Sequence, residues 1–263
     1  MQITAQKTED AVDRLELEHK VKDMYRRVAE EPGGEFHFEM GRRLAERLGY
    51  PAADLDRIPA QSVDSFAGVG YHLDLADIGP GAMVLDLGSG SGMDAFIAAL
   101  KAGPQGHVLG LDMTEAQRVK ALRLAEQAGI GNVSFCDGYI EAPPFGDAGF
   151  DVIISNGVIN LSADKRRVFN EAARMLRPGG RLALSDIVTE TALPMEVKCD
   201  ATLWAACIGG AMQVDDYQRA IESAGLSVAL VCVNPQYGFL TESAAGASDA
   251  WGVKSISLVA VKQ

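Results

Sequence analysis

The stretch Met83-Val84-Leu85-Asp86-Leu87-Gly88-Ser89-Gly90-Ser91-Gly92-Met93-Asp94 constrains this chain more than any other. Apolar, β-favouring residues run into an acid, a Gly-Ser-Gly-Ser-Gly turn follows, and Ala95-Phe96-Ile97-Ala98-Ala99-Leu100 has a helical pattern. That order predicts strand, tight turn and helix, the opening of a nucleotide-binding α/β unit. Gly88, Gly90 and Gly92 admit backbone angles closed to other residues and let a ligand lie against the main chain. A Gly-x-Gly-x-Gly turn alone is a weak signal. Asp112 strengthens it, because it ends the strand His107-Val108-Leu109-Gly110-Leu111, 20 residues after Gly92. An acid there is placed to accept both ribose hydroxyls of an adenosine cofactor.

Two such cofactors compete. A dinucleotide sets its pyrophosphate on the helix N-terminus, which favours a turn without an acid. Asp86 lies just ahead of the glycines, where it repels a phosphate and suits a cationic or amine-bearing group, as S-adenosylmethionine (SAM) has. The Val-Leu-Asp-Leu-Gly-Ser-Gly-Ser-Gly block resembles motif I of the class I SAM-dependent methyltransferases. The resemblance implies a Rossmann-like α/β fold, doubly wound around a mostly parallel sheet of seven strands. An NAD-linked oxidoreductase and a SAM-binding protein without turnover stand as more distant alternatives.

At 263 residues the chain has room for one α/β domain with an appendage. No apolar run approaches the roughly 20 residues of a membrane span. The first ten residues lack a basic-then-apolar signal pattern, so the expectation is a cytoplasmic protein with no membrane partner. A net charge of −12 argues against nucleic acid as a partner, because such binding rests on clustered Lys and Arg. Cys136, Cys199, Cys207 and Cys232 form no Cys-x-x-Cys and no zinc-spaced cluster with His, so no metal site is expected. The oligomeric state stays open, a homodimer included.

Periodicity orders the rest. A helix is expected over 8–31 and a second from Glu35 to Leu48, the pair forming an N-terminal helical cap. Residues 51–80 read as a Pro-, Asp- and Gly-rich connector. From 82 onward strands and helices alternate: strands at 82–87, 107–112, 132–136, 150–155 and 181–187, with helices near 93–102, 115–128 and 163–176. Thr114 is the expected N-cap of the second of these helices. A mostly helical insertion is expected over 189–211, then a helix at 214–224 and strands near 227–233 and 255–261, the last antiparallel. The expected division is a cap and connector over 1–64 and a SAM-binding domain over 65–263.

Further stretches are similar to a narrower family, the arsenite methyltransferases. They are Gly110-Leu111-Asp112-Met113-Thr114, Asn132-Val133-Ser134-Phe135 with Gly138-Tyr139-Ile140-Glu141, and Ile154-Ser155-Asn156-Gly157-Val158-Ile159-Asn160-Leu161-Ser162 with Asp164-Lys165. Leu176-Arg177-Pro178-Gly179-Gly180-Arg181 with Ser185-Asp186, and Leu203-Trp204-Ala205-Ala206-Cys207-Ile208-Gly209-Gly210-Ala211, complete the match. The resemblance implies Asp86, Gly88 and Gly90 at the methionine end of SAM, with Ser89 and Gly92 in the same turn. It puts Asp112 on the ribose, Met113 against the adenine with Thr114 beside it, and the adenine edge near Gly138, Tyr139 and Ile140. Ser155 and Asn156 would border the sulfonium and the acceptor.

For the acceptor the match largely fails. The family holds trivalent arsenic through three thiolates, soft ligands for a soft centre. The corresponding positions here are Val69, Gly157 and Cys207, so one thiol of three remains. Cys199 is two helical turns away, roughly 12 Å along a helix, which is too far to share one arsenic atom. The expectation is therefore a small organic acceptor, with arsenite or another thiophilic species on Cys207 and glutathione as the alternative. Catalytic candidates are Asn156, Cys207, His72 and Tyr25. Any needed base comes from His37, His72, Tyr25 or Asp186, with His72 read first as a solvated loop residue.

Overall fold

The computed structural model describes residues 13–198, 204, 208–240, 246 and 249–263; Cys199 and Cys207 lie outside the described residues. The glycine-flanked apolar runs form the parallel strands β1 (Met83–Leu87), β2 (His107–Asp112), β3 (Val133–Asp137) and β4 (Phe150–Asn156). They continue into β5 (Leu176–Thr189), β6 (Met212–Gln213), β7 (Leu226–Val233) and β8 (Lys254–Lys262). The order is β3-β2-β1-β4-β5-β8-β7, with the two-residue β6 added beside β5 as an eighth strand. β8 runs antiparallel to both β5 and β7, as the sequence pattern predicts. Because β1 lies between β2 and β4, the winding reverses there, and a crevice opens at the carboxyl ends of those strands.

Alternation along β1 decides which layer each side chain joins. Val84 points into the core shared with α5 (Met93–Ala102) and α6 (Glu115–Ala128), where Phe96, Ala98 and Leu124 are buried. Leu85 and Leu87 point the other way, into the core with α7 (Lys165–Met175) and α9 (Val214–Ser223), around Phe169 and Tyr217.

Over the crevice lies α1 (Arg14–Glu30), capped by Asp13, whose carboxylate accepts the N–H groups of Leu15 and Glu16. Three bonds to its backbone hold it down: Gln117 Nε2 to the Tyr25 carbonyl at 2.9 Å, Lys120 Nζ to that of Ala29 at 2.8 Å, and Ser65 Oγ to that of Val28 at 2.9 Å. The next helix differs from expectation. It is α2 (Arg42–Leu48), starting after Gly41 at φ +82° rather than at Glu35. Phe36 and Phe38 leave helical geometry and stack on each other with ring centroids 5.6 Å apart, and Phe38 stacks on Tyr25 at 6.3 Å. The connector holds two short helices, α3 (Ala52–Leu55) and α4 (Ala60–Asp64), and the described part of the insertion holds α8 (Met195–Lys198). β5 begins earlier than the expected 181, at Leu176, with an irregular start between Phe150 and Val152 of its partner strand. Among the described residues no helix is long and apolar enough to cross a membrane.

Candidate functional site

A pocket of about 140 Å³ sits in the crevice, floored by the glycine turn and roofed by Val21 and Tyr25 of α1. The turn is tied to β2 through the N–H groups of Gly88 and Ser89, which donate to the Leu111 carbonyl at 2.8 and 3.0 Å. Gly88 has φ +73°, and a Cβ there would stand 2.5 Å from Val158 Cγ1, so the close approach of main chain and wall requires glycine.

Asp112 closes the turn. One carboxylate oxygen accepts the Gly90 N–H at 2.9 Å, the other that of Thr114 at 2.8 Å. Burial pushes this carboxyl up, while the two backbone donors pull against that shift. With the Thr114 hydroxyl also bonded to it, the carboxylate keeps about one of its roughly four acceptor positions. Thr114 occupies the N-cap position of α6, but its hydroxyl is bonded to Asp112 rather than capping the helix.

Asp86 is different. It is 3% exposed, its Oδ2 has no hydrogen-bond partner, and it receives a bond from the Ala95 N–H. Burial, then the negative charges of Asp94 and Asp112, hold its carboxyl well above the usual range. Ser89 Oγ is likewise buried without a partner. Two unsatisfied groups on one pocket wall are what a polar ligand would complete.

Asn156 lines the same pocket, but its side chain is fully engaged. Its Nδ2 lies 3.0 Å from each of Tyr50 Oη, the Gly70 carbonyl and Asp94 Oδ2, and its Oδ1 accepts the Val69 N–H at 2.8 Å. With Tyr50 donating to Asp94 at 2.6 Å, these bonds tie Asn156, one of the expected catalytic residues, to the 67–70 loop. The loop places Val69 against Gly157: a Cβ on Gly157, where φ is +70°, would stand 3.3 Å from Val69 Cγ1. Two of the three positions singled out for arsenic ligands are thus neighbours in space. Val69 is 2% exposed and packs in one apolar cluster with Trp204 and Ile208 of the insertion.

Tyr25, Asp86, Gly88, Ser89, Gly90, Asp112, Met113, Thr114, Gly138, Ile140 and Asn156 all meet at the pocket. Four expected residues do not. Gly92 lies beneath it at the start of α5, against Phe96 and Phe135. Ser155 turns its hydroxyl to the Leu87 carbonyl at 2.9 Å. Tyr139 is exposed, its hydroxyl bonded to Lys22 at 2.8 Å and Glu18 at 2.7 Å across the mouth. His72, expected in solvent, is fully buried outside the lining, with neither ring nitrogen partnered and burial holding its pKa low. Cys207 lies outside the described residues. Of the other base candidates, Asp186 is buried away from the lining, and His37 packs edge-on against Phe38. Sequence reasoning missed Asp94, Gln117, Glu141 and Ser162, all on the wall. Asp94 and Glu141 stood at the ends of quoted motifs, and alternation alone does not say that those side chains turn inward.

The sequence matches the methyltransferase domain family over residues 78–225, more than half of the chain. This chain belongs to that family. The cofactor of such a domain is SAM, which decides against the NAD-linked reading. The arsenite methyltransferase of Halobacterium salinarum is 42% identical over 181 residues, covering 69% of this chain and 46% of that protein. The nocamycin O-methyltransferase of Saccharothrix syringae is 38% identical over 136 residues, 51% of this chain and 48% of its own. The chain therefore spans less than half the length of these curated relatives. The solved structure of an arsenic (III) S-adenosylmethionine methyltransferase from Chlamydomonas reinhardtii superposes with a TM-score of 0.63 at 30% identity, covering 85% of this chain and 74% of the other. The residues present fit SAM: the pocket offers an unpartnered carboxylate oxygen and hydroxyl for its polar end and an acid with an acceptor position left for its ribose.

Proposed function

We propose that this chain transfers a methyl group from SAM to a small acceptor held beside Val69 and Gly157, and that the acceptor is organic. The observation that carries the acceptor side is the contact between those two residues, which puts no thiol at either position just behind the pocket lining of Gly68, Asn156 and Val158. Asp86, Ser89 and the Gly88–Gly90 turn would hold the methionine end, Asp112 the ribose, and Met113, Gly138 and Ile140 the adenine. When bound, SAM supplies a methyl group already activated on a sulfonium. The chain's own residues then need only orient the acceptor in line and keep water out. Tyr25 and Val21 roof the pocket, and Asn156 fixes the wall through its bonds to Val69, Gly70 and Asp94.

The second reading is methylation of arsenite or another soft species through Cys207 and glutathione. The comparisons favour it over an organic acceptor, because a curated relative at 42% identity and a solved structure at 30% identity are named for arsenite or arsenic (III). Against it stands the loss of two thiols from one contact. Purified protein with SAM carrying a labelled methyl, offered arsenite with excess glutathione and, separately, organic acceptors, separates the two. Labelled organic product without labelled arsenicals is the expected result. Methylarsenicals at a useful rate would favour the second reading. We also propose a cytoplasmic protein that does not act on nucleic acid, in keeping with its net charge of −12.

A further inference from the structure

We propose that the acceptor is an amine, drawn in as a cation by an acidic and aromatic wall made of Asp94, Glu141, Tyr25 and Phe66; this rests on the methyl-transfer reading above. The pocket is lined by four carboxylates, Asp86, Asp94, Asp112 and Glu141, and by no Lys, Arg or His among the described residues. Two of them are assigned to the cofactor. Neither of the other two is in an ion pair, although the charge of Lys165, behind Ser162, acts on Glu141 from outside the lining. Asp94 accepts only from neutral groups, Tyr50 Oη at 2.6 Å and Asn156 Nδ2 at 3.0 Å. Glu141 accepts from Ser162 Oγ at 2.5 Å. The ion pairs among the described residues involve none of the four.

The field of this wall is already felt inside the pocket. Asp86 is buried with an unpartnered oxygen, and the neighbouring Asp94 and Asp112 add to burial in holding its carboxyl up. An anion entering here meets repulsion without a partner, whereas an ammonium meets carboxylates and two aromatic side chains suited to a cation. In the reaction the entering ammonium gives one proton to a wall carboxylate, which passes it to water. The nitrogen lone pair then forms the new C–N bond as the methyl's C–S bond breaks, with that pair left on sulfur. Positive charge thus moves onto nitrogen, where the acidic wall stabilises it.

Binding to the protein loaded with S-adenosylhomocysteine tests this. Size-matched pairs such as benzylamine and benzoate, with neutral benzyl alcohol, are titrated by ligand-observed NMR against wild type, Glu141→Gln and Asp94→Asn. The expected result is at least a tenfold preference for the amine in wild type, shrinking in Glu141→Gln. Equal or stronger binding of the carboxylate overturns the proposal. So does no binding by any member of the pairs, or a preference unchanged in both variants. Failure of wild type to take up S-adenosylhomocysteine would overturn the methyl-transfer reading itself, and this inference with it.

Discussion

Two groups of buried charge invite comparison: the pocket acids Asp86 and Asp112, and the trio Lys165, Asp186 and Tyr217. All five residues sit in the interior or at its lining, yet only the trio is complete. Lys165 Nζ donates to the Ser162 carbonyl at 2.8 Å and lies 4.8 Å from the Trp204 ring centroid. Asp186 accepts the Tyr217 hydroxyl at 2.7 Å and the Ile187 N–H at 2.9 Å. Burial drives Lys165 down to about 8 and Asp186 up to about 6, each opposed by the other's charge. In the pocket, by contrast, Asp86 Oδ2 and Ser89 Oγ have no partner. A closed network holds a fold in one arrangement, whereas an open one is completed by a ligand.

The largest effect that can break this comparison comes from the trio. Lys165→Met removes the cation whose charge Asp186 feels and the donor to the Ser162 carbonyl, and urea unfolding is expected to register a loss of about 1–3 kcal/mol. The SAM affinity of the folded fraction is expected to stay unchanged. The pair also shapes the pH profile. Asp186 holds a proton in the folded state between 3.8 and about 6, where the unfolded chain does not, so stability falls as pH rises through that window. Between about 8 and 10.5 the unfolded chain holds a proton that folded Lys165 has lost, so stability rises with pH. A double Lys165→Met/Asp186→Leu variant should lose both slopes.

Next comes Asp112→Ala. It removes charged hydrogen bonds worth roughly 1.5–3 kcal/mol each, so calorimetry should give a SAM affinity weaker by about two orders of magnitude. Gly157→Ala is smaller. The left-handed backbone at φ +70° costs a side chain about 1–2 kcal/mol, read as a lower unfolding free energy with SAM binding retained. The mildest test is pH. Asp86's carboxyl is raised, so its negative charge grows as pH climbs through that raised value, and a cationic ligand gains with it. SAM binding should tighten toward higher pH in wild type and flatten in an Asp86→Asn protein.

The sheet was legible because β1, β2 and β4 are short apolar runs that end in an acid or a turn, and periodicity is a local property. The pocket's floor was legible for the same reason: Asp86, the glycine turn and Asp112 sit at strand ends that topology brings to one edge. Helix α2 was overextended because Glu35–Phe38 has acceptable helix formers, while aromatic stacking on Tyr25 takes the segment elsewhere. His72 looked like a solvated loop residue because burial of a loop depends on what packs over it, which local sequence does not encode. Asn156 was legible at the pocket from its place at the end of β4, whereas its bonds to Tyr50, Asp94 and the 69–70 backbone were not. Those partners lie up to 106 positions away in sequence.

The most direct test of the central claim compares Asp86→Asn with wild type in two readings, unfolding without ligand and SAM titration by calorimetry. If Asp86 belongs to a ligand site, removing its desolvated charge leaves the free protein as stable as wild type or more so, while SAM affinity falls by about 10- to 100-fold. A loss of stability above about 2 kcal/mol with SAM affinity unchanged would put Asp86 with the closed network and contradict the account.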